Sequence, residues 1–489
     1  MQNEASIKIG KKTFLTAVII LGLLMITVGI LTLVIPTGSY DRITTDGRET
    51  VVEGTYHNTD IGQFPVWRWF TAPVEVLWSS DGAVVIVIIF FLLAVSGAFS
   101  LLENSDVISL ILMKVVHKFK NYRYLLMSVI VLFFMSLGAV LGTFEENIAL
   151  LPIMIALSYC LGWDSLVGLG MSILASCFGF TAAITNPFSI AITQKISDLP
   201  LYSGSALRVL IFLTYFILIL VFLIRYAKRI EKDPTRSLVY GEDENLRKKY
   251  TGTEGVERIL GVKSSQERKK LNEAAITFGV FVLLIFAVII VASLTPSIAD
   301  LELPIIGLLF LIGGIVSAVI AGIGSKRCLK ILGKSAVGVA PGIILILMAM
   351  SVKFIISHGG IMDTILYYTA GAISTTSPYV AILIIYALIL LLELFVGSSS
   401  AKAFLVMPLI APLSDLVGIT RQTSVLAFCF GDGFSNVLYP TNPVLLICLG
   451  LTVVTYTKWI KWTYKLQLIA FAIACGYLFL GIAIHYGPF

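Results

Sequence analysis

Two stretches of this 489-residue chain interrupt apolar runs with polar and charged residues at matching places, and this repetition constrains the fold more than any other feature. The first, 142–187, opens GTFEENIALLP and closes AAITNP; the second, 397–443, opens GSSSAKAFLVMP and closes VLYPTNP. Pro152 and Asn186 are 34 residues apart, as are Pro408 and Asn442, and one offset of 256 relates the two pairs. The same offset superposes Leu157 on Leu413, Ser158 on Ser414, Gly162 on Gly418, Phe178 on Phe434, and Thr185-Asn186-Pro187 on Thr441-Asn442-Pro443. In a membrane chain, interrupted hydrophobic segments at corresponding positions of two halves are the best sequence pointer to a transport site.

That the chain is a membrane chain follows from composition. It is 57% hydrophobic and only 13% charged, with a mean hydropathy of +0.95, where a soluble domain carries about 25% charged residues. The net charge of +6 does not point to nucleic acid, because Lys and Arg collect where cytoplasmic loops are expected. Six cysteines without a CxxC pair read as small core hydrophobes rather than disulfides or metal ligands. Lys11-Lys12 and the apolar run after them resemble a signal peptide, but 13–35 is long enough to span and no cleavage pattern follows. It is read as an anchored first helix.

About 20 apolar residues cross a bilayer as helix. On that criterion the first half, 1–226, has spans near 13–35, 82–102 and 206–223. Its polar segment 40–80 faces outward, with Trp67, Trp69 and Trp78 suited to the interface. The run 124–161 breaks at Gly142–Asn147, and its second arm is too short to span, so a re-entrant hairpin is expected; 165–194 is a helix broken by Pro187. A basic linker, 227–272, is cytoplasmic, since thirteen Lys and Arg lie between 225 and 272. The second half, 273–489, repeats the pattern with spans near 273–294, 338–356 and 464–484, a hairpin at 379–417 and a broken helix at 420–457. One extra span, 304–323, reverses the direction of everything after it. The expectation is therefore an all-α polytopic membrane protein of two inverted repeats, with a cytoplasmic N-terminus and an external C-terminus.

The hairpin tips hold Thr143, Glu145, Glu146 and Asn147 on one side and Ser398, Ser399, Ser400 and Lys402 on the other, with Lys402 the offset partner of Glu146. Charges in the bilayer are costly unless paired or facing a pocket. Either Lys402 and Glu146 hold the hairpins together, or the tips bind a solute. Asn186, Asn442 and Asp432 join the candidate substrate site. Thr185, Asn186, Pro187, Ser435, Asn436, Thr441 and Asn442 are candidates for a coupling ion, Na+ or H+, because broken helices present free N–H and C=O groups; a plain proline kink is the alternative. Glu393 and Lys353 read as scaffold or snorkelling groups. No GxSxG, HExxH, Walker or Cys/His cluster is present, so neither an enzyme nor a cofactor is expected.

The run GTFEENIALLP, continuing SYCLGWDSLVG to TNPF, resembles the DcuC/YfcC-type membrane carriers, a group of C4-dicarboxylate carriers and arginine/ornithine antiporters. The second half, with SSSAKAF and GDGFSN, is also similar to the aminobenzoyl-glutamate transporter family. The resemblance implies a secondary transporter of the bacterial cytoplasmic membrane, working by an elevator motion as a homodimer. From the residues, the expected solute is small and carboxylate-bearing, an amino acid, with a C4-dicarboxylate as alternative and a passive channel as the reading from another class.

Overall fold

The computed structural model describes residues 11–45, 48–52, 54–59, 64–80, 82–250, 265–294 and 299–487. Eight described helices are long and apolar enough to cross a bilayer: Gly82–Asn104, Arg123–Leu141, Ser165–Ile196, Ser205–Lys232, Gln266–Ala292, Leu301–Ile320, Ser325–His358 and Tyr456–Ala483. Helix Lys11–Val34 precedes them. The fold is all-α apart from two short ribbons in the polar segment, where Gly38–Ser39 pairs with His57–Asn58 and Arg42–Thr45 with Arg48–Val51.

Several helices run about two to four turns beyond the apolar windows, into their basic flanks. The helix expected at 206–223 continues to Lys232, and that expected at 338–356 begins at Ser325. Lys and Arg are good helix formers and lie in water there, so the hydrogen-bonded ladder has no reason to stop at the hydrocarbon edge. Trp69 departs from its expected place. Trp67 and Trp78 are exposed, but Trp69 is 5% exposed and lies flat against Gly29 of the first helix, where a Cβ would overlap its ring.

Each half contains a hairpin and a broken helix. The first hairpin pairs Arg123–Ser136, extended by a wide turn over Leu137–Leu141, with Glu146–Leu150 and Leu151–Cys160. The second pairs Pro378–Glu393 with Ser399–Leu416. Both close on a glycine in the left-handed region, Gly162 at φ 86° and Gly418 at φ 75°, which explains why the offset preserves glycine there. The first broken helix ends its first piece at Ala182, with Ala183 at φ 43°, and restarts at Pro187. The second stops at Asp432, makes a short 3-10 turn over Phe434–Val437, and restarts at Pro443.

The broken helices cross at the centre. Phe178 and Phe434, which the offset superposes, lie ring to ring at 6.1 Å. Gly433 meets Thr181 so closely that a Cβ would lie 2.2 Å from its Oγ1.

The two closing loops sit among different neighbours. That of the first hairpin is held by the segment after helix Ser205–Lys232: Asp243 accepts from Tyr159 Oη (2.5 Å) and Ser165 N (3.0 Å), and Asp164 from Ser237 Oγ (2.7 Å). That of the second meets the opposite end of the same helix, where Arg421 pairs with Asp198 (2.9 Å) and Thr420 Oγ1 donates to Tyr486 O (2.9 Å).

Candidate functional site

Polar side chains stitch each hairpin tip to its own broken helix. In the first half, Asn147 Nδ2 donates to Ser176 Oγ (2.7 Å) and to Thr143 O (3.0 Å), and Ser176 Oγ donates to the same carbonyl (2.8 Å). Thr185 N and Oγ1 donate to Ala139 O (3.1 Å) and Val140 O (3.2 Å). Gly142, at φ 74°, lets the tip turn against the break: a Cβ there would lie 2.3 Å from Asn186 Oδ1.

Asn186 and Asn442 do the same work in both halves. Asn186 Oδ1 accepts from Phe188 N (2.8 Å) and Ser189 N (3.2 Å); Asn442 Oδ1 accepts from Val444 N (3.0 Å) and Leu445 N (3.2 Å). Each asparagine caps the helix that its proline begins, the favoured arrangement at a helix start. Their amide groups differ, since Asn442 Nδ2 donates to Asn436 Oδ1 (2.7 Å) and Asn186 Nδ2 to Gly138 O (3.4 Å). Asn436 Nδ2 in turn reaches Asp432 O, and Ser435 Oγ donates to Gly431 O (2.5 Å). Thr143 Oγ1 and Thr441 Oγ1 are buried without a partner among the described residues.

Lys402 does not oppose Glu146. Its ammonium is fully buried, 2.8 Å from Asp432 Oδ1 and against Glu393 Oε2, while Ser399 Oγ donates to Asp432 Oδ2 (2.5 Å). Glu393, expected as scaffold, is thus half of the lysine's cage. A buried ammonium needs carboxylates within contact, and the nearest are on its own hairpin and broken helix rather than across the repeat. Ser398 Oγ caps the arm that carries Lys402, accepting from Ala401 N (3.4 Å), and Ser400 is buried beside it.

The first tip remains acidic. Glu146 Oε2 accepts from Phe144 N (3.0 Å), and neither Glu145 nor Glu146 makes an ion pair among the described residues. Glu145 is exposed and Glu146 half-buried. A third carboxyl, Glu302, stands on the extra helix Ala299–Ile320, which packs against the tip turn Glu146–Leu150; it is 4% exposed and its Oε1 has no partner among the described residues. Glu302 escaped the sequence reading because the extra helix has no offset partner. Glu393 escaped it because its offset partner is Leu137.

A family model described as C4-dicarboxylate anaerobic carrier, DcuC, matches residues 14–483. The chain belongs to the DcuC family. It is therefore an integral membrane protein of a transporter family. One relative, from Escherichia coli (strain K12), carries the name "Putative basic amino acid antiporter YfcC"; it is 32% identical over 381 residues, covering 76% of this chain and 73% of the relative. An uncharacterised protein of Haemophilus influenzae is 26% identical over 371 residues, covering 76% and 70%. The solved Alcanivorax borkumensis YdaH transporter aligns with 96% of this chain and 98% of its own at 15% identity, TM-score 0.40. Neisseria gonorrhoeae MtrF aligns with 94% of each at 16% identity, TM-score 0.39.

Proposed function

We propose that this DcuC-family protein is a secondary active transporter of an amino acid carrying an ammonium or other cationic group, working by alternating access with ion coupling or exchange. The observation that carries the reading is charge. Glu145 and Glu146 at the first tip, and Glu302 on the helix packed against it, make no ion pair among the described residues, while Lys402 is spent on Glu393 and Asp432. A cationic solute offsets that excess. The printed name of the Escherichia coli relative agrees in class.

A C4-dicarboxylate, named in the family description, is the second reading. It brings two further negative charges to an acidic tip, so bound Na+ or H+ would have to offset them. A passive channel is the reading from another class, and saturable counterflow excludes it. Inversion of the repeats is supported by the closing loops, which meet opposite ends of helix Ser205–Lys232. The bacterial cytoplasmic membrane, an internal N-terminus, an elevator motion and a homodimer complete the proposal.

The test is ligand binding to the purified protein. A solute that binds only the folded state raises its apparent stability. Basic amino acids are expected to raise the melting temperature, and Glu146→Gln to weaken that response. A shift by dicarboxylates alone overturns the reading.

A further inference from the structure

The caged lysine of the second hairpin does not balance its surroundings. Glu393, Lys402 and Asp432 side chains are each at most 1% exposed, and with all three ionised the cluster carries one negative charge. An uncompensated buried charge is so costly that the group ordinarily takes up a proton instead. The two carboxylates are not equivalent. Both oxygens of Asp432 receive donors, one from Lys402 and one from Ser399. Glu393 gives one oxygen to Lys402 and keeps Oε1 buried with no partner among the described residues.

We infer that Glu393 is the proton-binding site of the transport cycle, holding one proton on its free oxygen while Lys402 pairs with Asp432. The inference rests on the transporter reading and names its coupling ion as H+. A hard metal ion in the proton's place needs several oxygen ligands, and Glu393 Oε1 is the one free carboxylate oxygen of this cluster.

The proton has a route and an account. Gly397 and Ser398 at the tip are exposed and Ser399, whose hydroxyl holds Asp432, is half-buried, so the cluster lies directly beneath the protein surface. Glu393 and Lys402 stand on the two arms of one hairpin, and Asp432 on the broken helix. Parting of tip from helix therefore opens the cluster to whichever aqueous side is accessible. Glu393 then releases its proton to that water and becomes a carboxylate, able to hold the ammonium that Asp432 gives up. Reclosure requires a proton from water, which restores the neutral sum of carboxylic acid, ammonium and carboxylate.

The other titratable groups around this cluster do not replace it. Cys429 on the broken helix, Cys177 and Cys448 from facing elements, and Tyr386 and Tyr439 are thiols and phenols, whose ordinary values lie above neutrality. Arg208 is a fixed cation held by the carbonyls of Ser203, Ile184 and Tyr202. Lys353 lies on helix Ser325–His358, whose Val352 and Phe354 pack with Phe395 and Val396 at the tip, but the ammonium in contact with Glu393 is that of Lys402.

The experiment uses the full chain in proteoliposomes with labelled arginine and lysine, and infrared difference spectroscopy of the purified protein. The wild type is expected to show a protonated-carboxyl band near neutral pH that Glu393→Gln lacks, and an imposed pH gradient is expected to drive accumulation in the wild type and not in Glu393→Gln. Glu393→Asp, which keeps a titratable group, is expected to move the pH profile of uptake, and it serves if the glutamine variant does not fold. Equal protonated-carboxyl intensity in the wild type and Glu393→Gln, gradient-driven uptake in that variant, or an unmoved profile in Glu393→Asp overturns the inference. Absence of any wild-type counterflow of amino acids would instead count against the transporter reading, and the infrared band would still decide the proton's place.

Discussion

Lys402 shows how far a single residue's role depends on what lies beside it in space. The repeat aligns it with Glu146, and alignment was the only guide the sequence offered. Superposed residues touch only where they lie at the crossing of the two halves, as Phe178 and Phe434 do. Lys402 lies away from that crossing and takes its partners from its own half. Lys402→Met should therefore leave the buried Asp432 carboxylate without its cation and cost about 3 to 5 kcal/mol of stability. Adding Glu393→Gln and Asp432→Asn to that variant should recover most of the loss, as read by melting temperature, whereas Glu146→Gln should leave stability nearly unchanged. The asparagines of the breaks were legible because the repeat preserves them, but their task was not. Asn186→Ala and Asn442→Ala should each lose a helix cap worth about 1 kcal/mol and impair uptake. Asn442→Asp, which keeps the accepting oxygen and loses the donor to Asn436, separates the cap from the amide link. Stability equal to wild type in both alanine variants would contradict the capping role.

At the scale of elements, hairpins and broken helices were legible because their signals are local: a short apolar arm, a polar tip, a proline. The amphipathic helices Val107–Phe119 and Met362–Ser374, which lead into the two hairpins, were not recognised, because a length criterion for spanning passes over short amphipathic segments. They too are related by the offset of 256 within one residue. The linker held a second surprise. Positive charge identified it as a loop, yet its first part is strapped to the first hairpin through Asp243, which no apolar pattern could announce. Burial, with Asp164 adding to it, pushes the Asp243 carboxyl up to about 7. The folded state then holds a proton that the unfolded state has released, so stability falls as pH rises between about 4 and 7. The hydrogen-exchange protection factor of the strap, taken relative to the intrinsic rate at each pH, should accordingly fall across that window in the wild type and stay flat in Asp243→Asn. An identical pH dependence in the two proteins would show that another group controls the strap.

For the whole molecule, the architecture follows from two halves of like sequence plus one unmatched helix. Lys458 pairs with Glu242 of the linker, whereas Tyr486 Oη donates to Gly204 O at the far end of helix Ser205–Lys232. The C-terminal end and the linker are therefore expected on opposite sides of the membrane, and a reporter fused after Tyr486 should read as external while one in the linker reads as internal. Agreement of the two reporters would refute the span count. The central claim, a transporter of a cationic amino acid, is tested most directly by counterflow in proteoliposomes. Vesicles loaded with unlabelled arginine should accumulate labelled arginine transiently and saturably, and external succinate should not compete. Uptake that rises without saturation and shows no acceleration by internal arginine, or that is driven by succinate alone, would contradict the account.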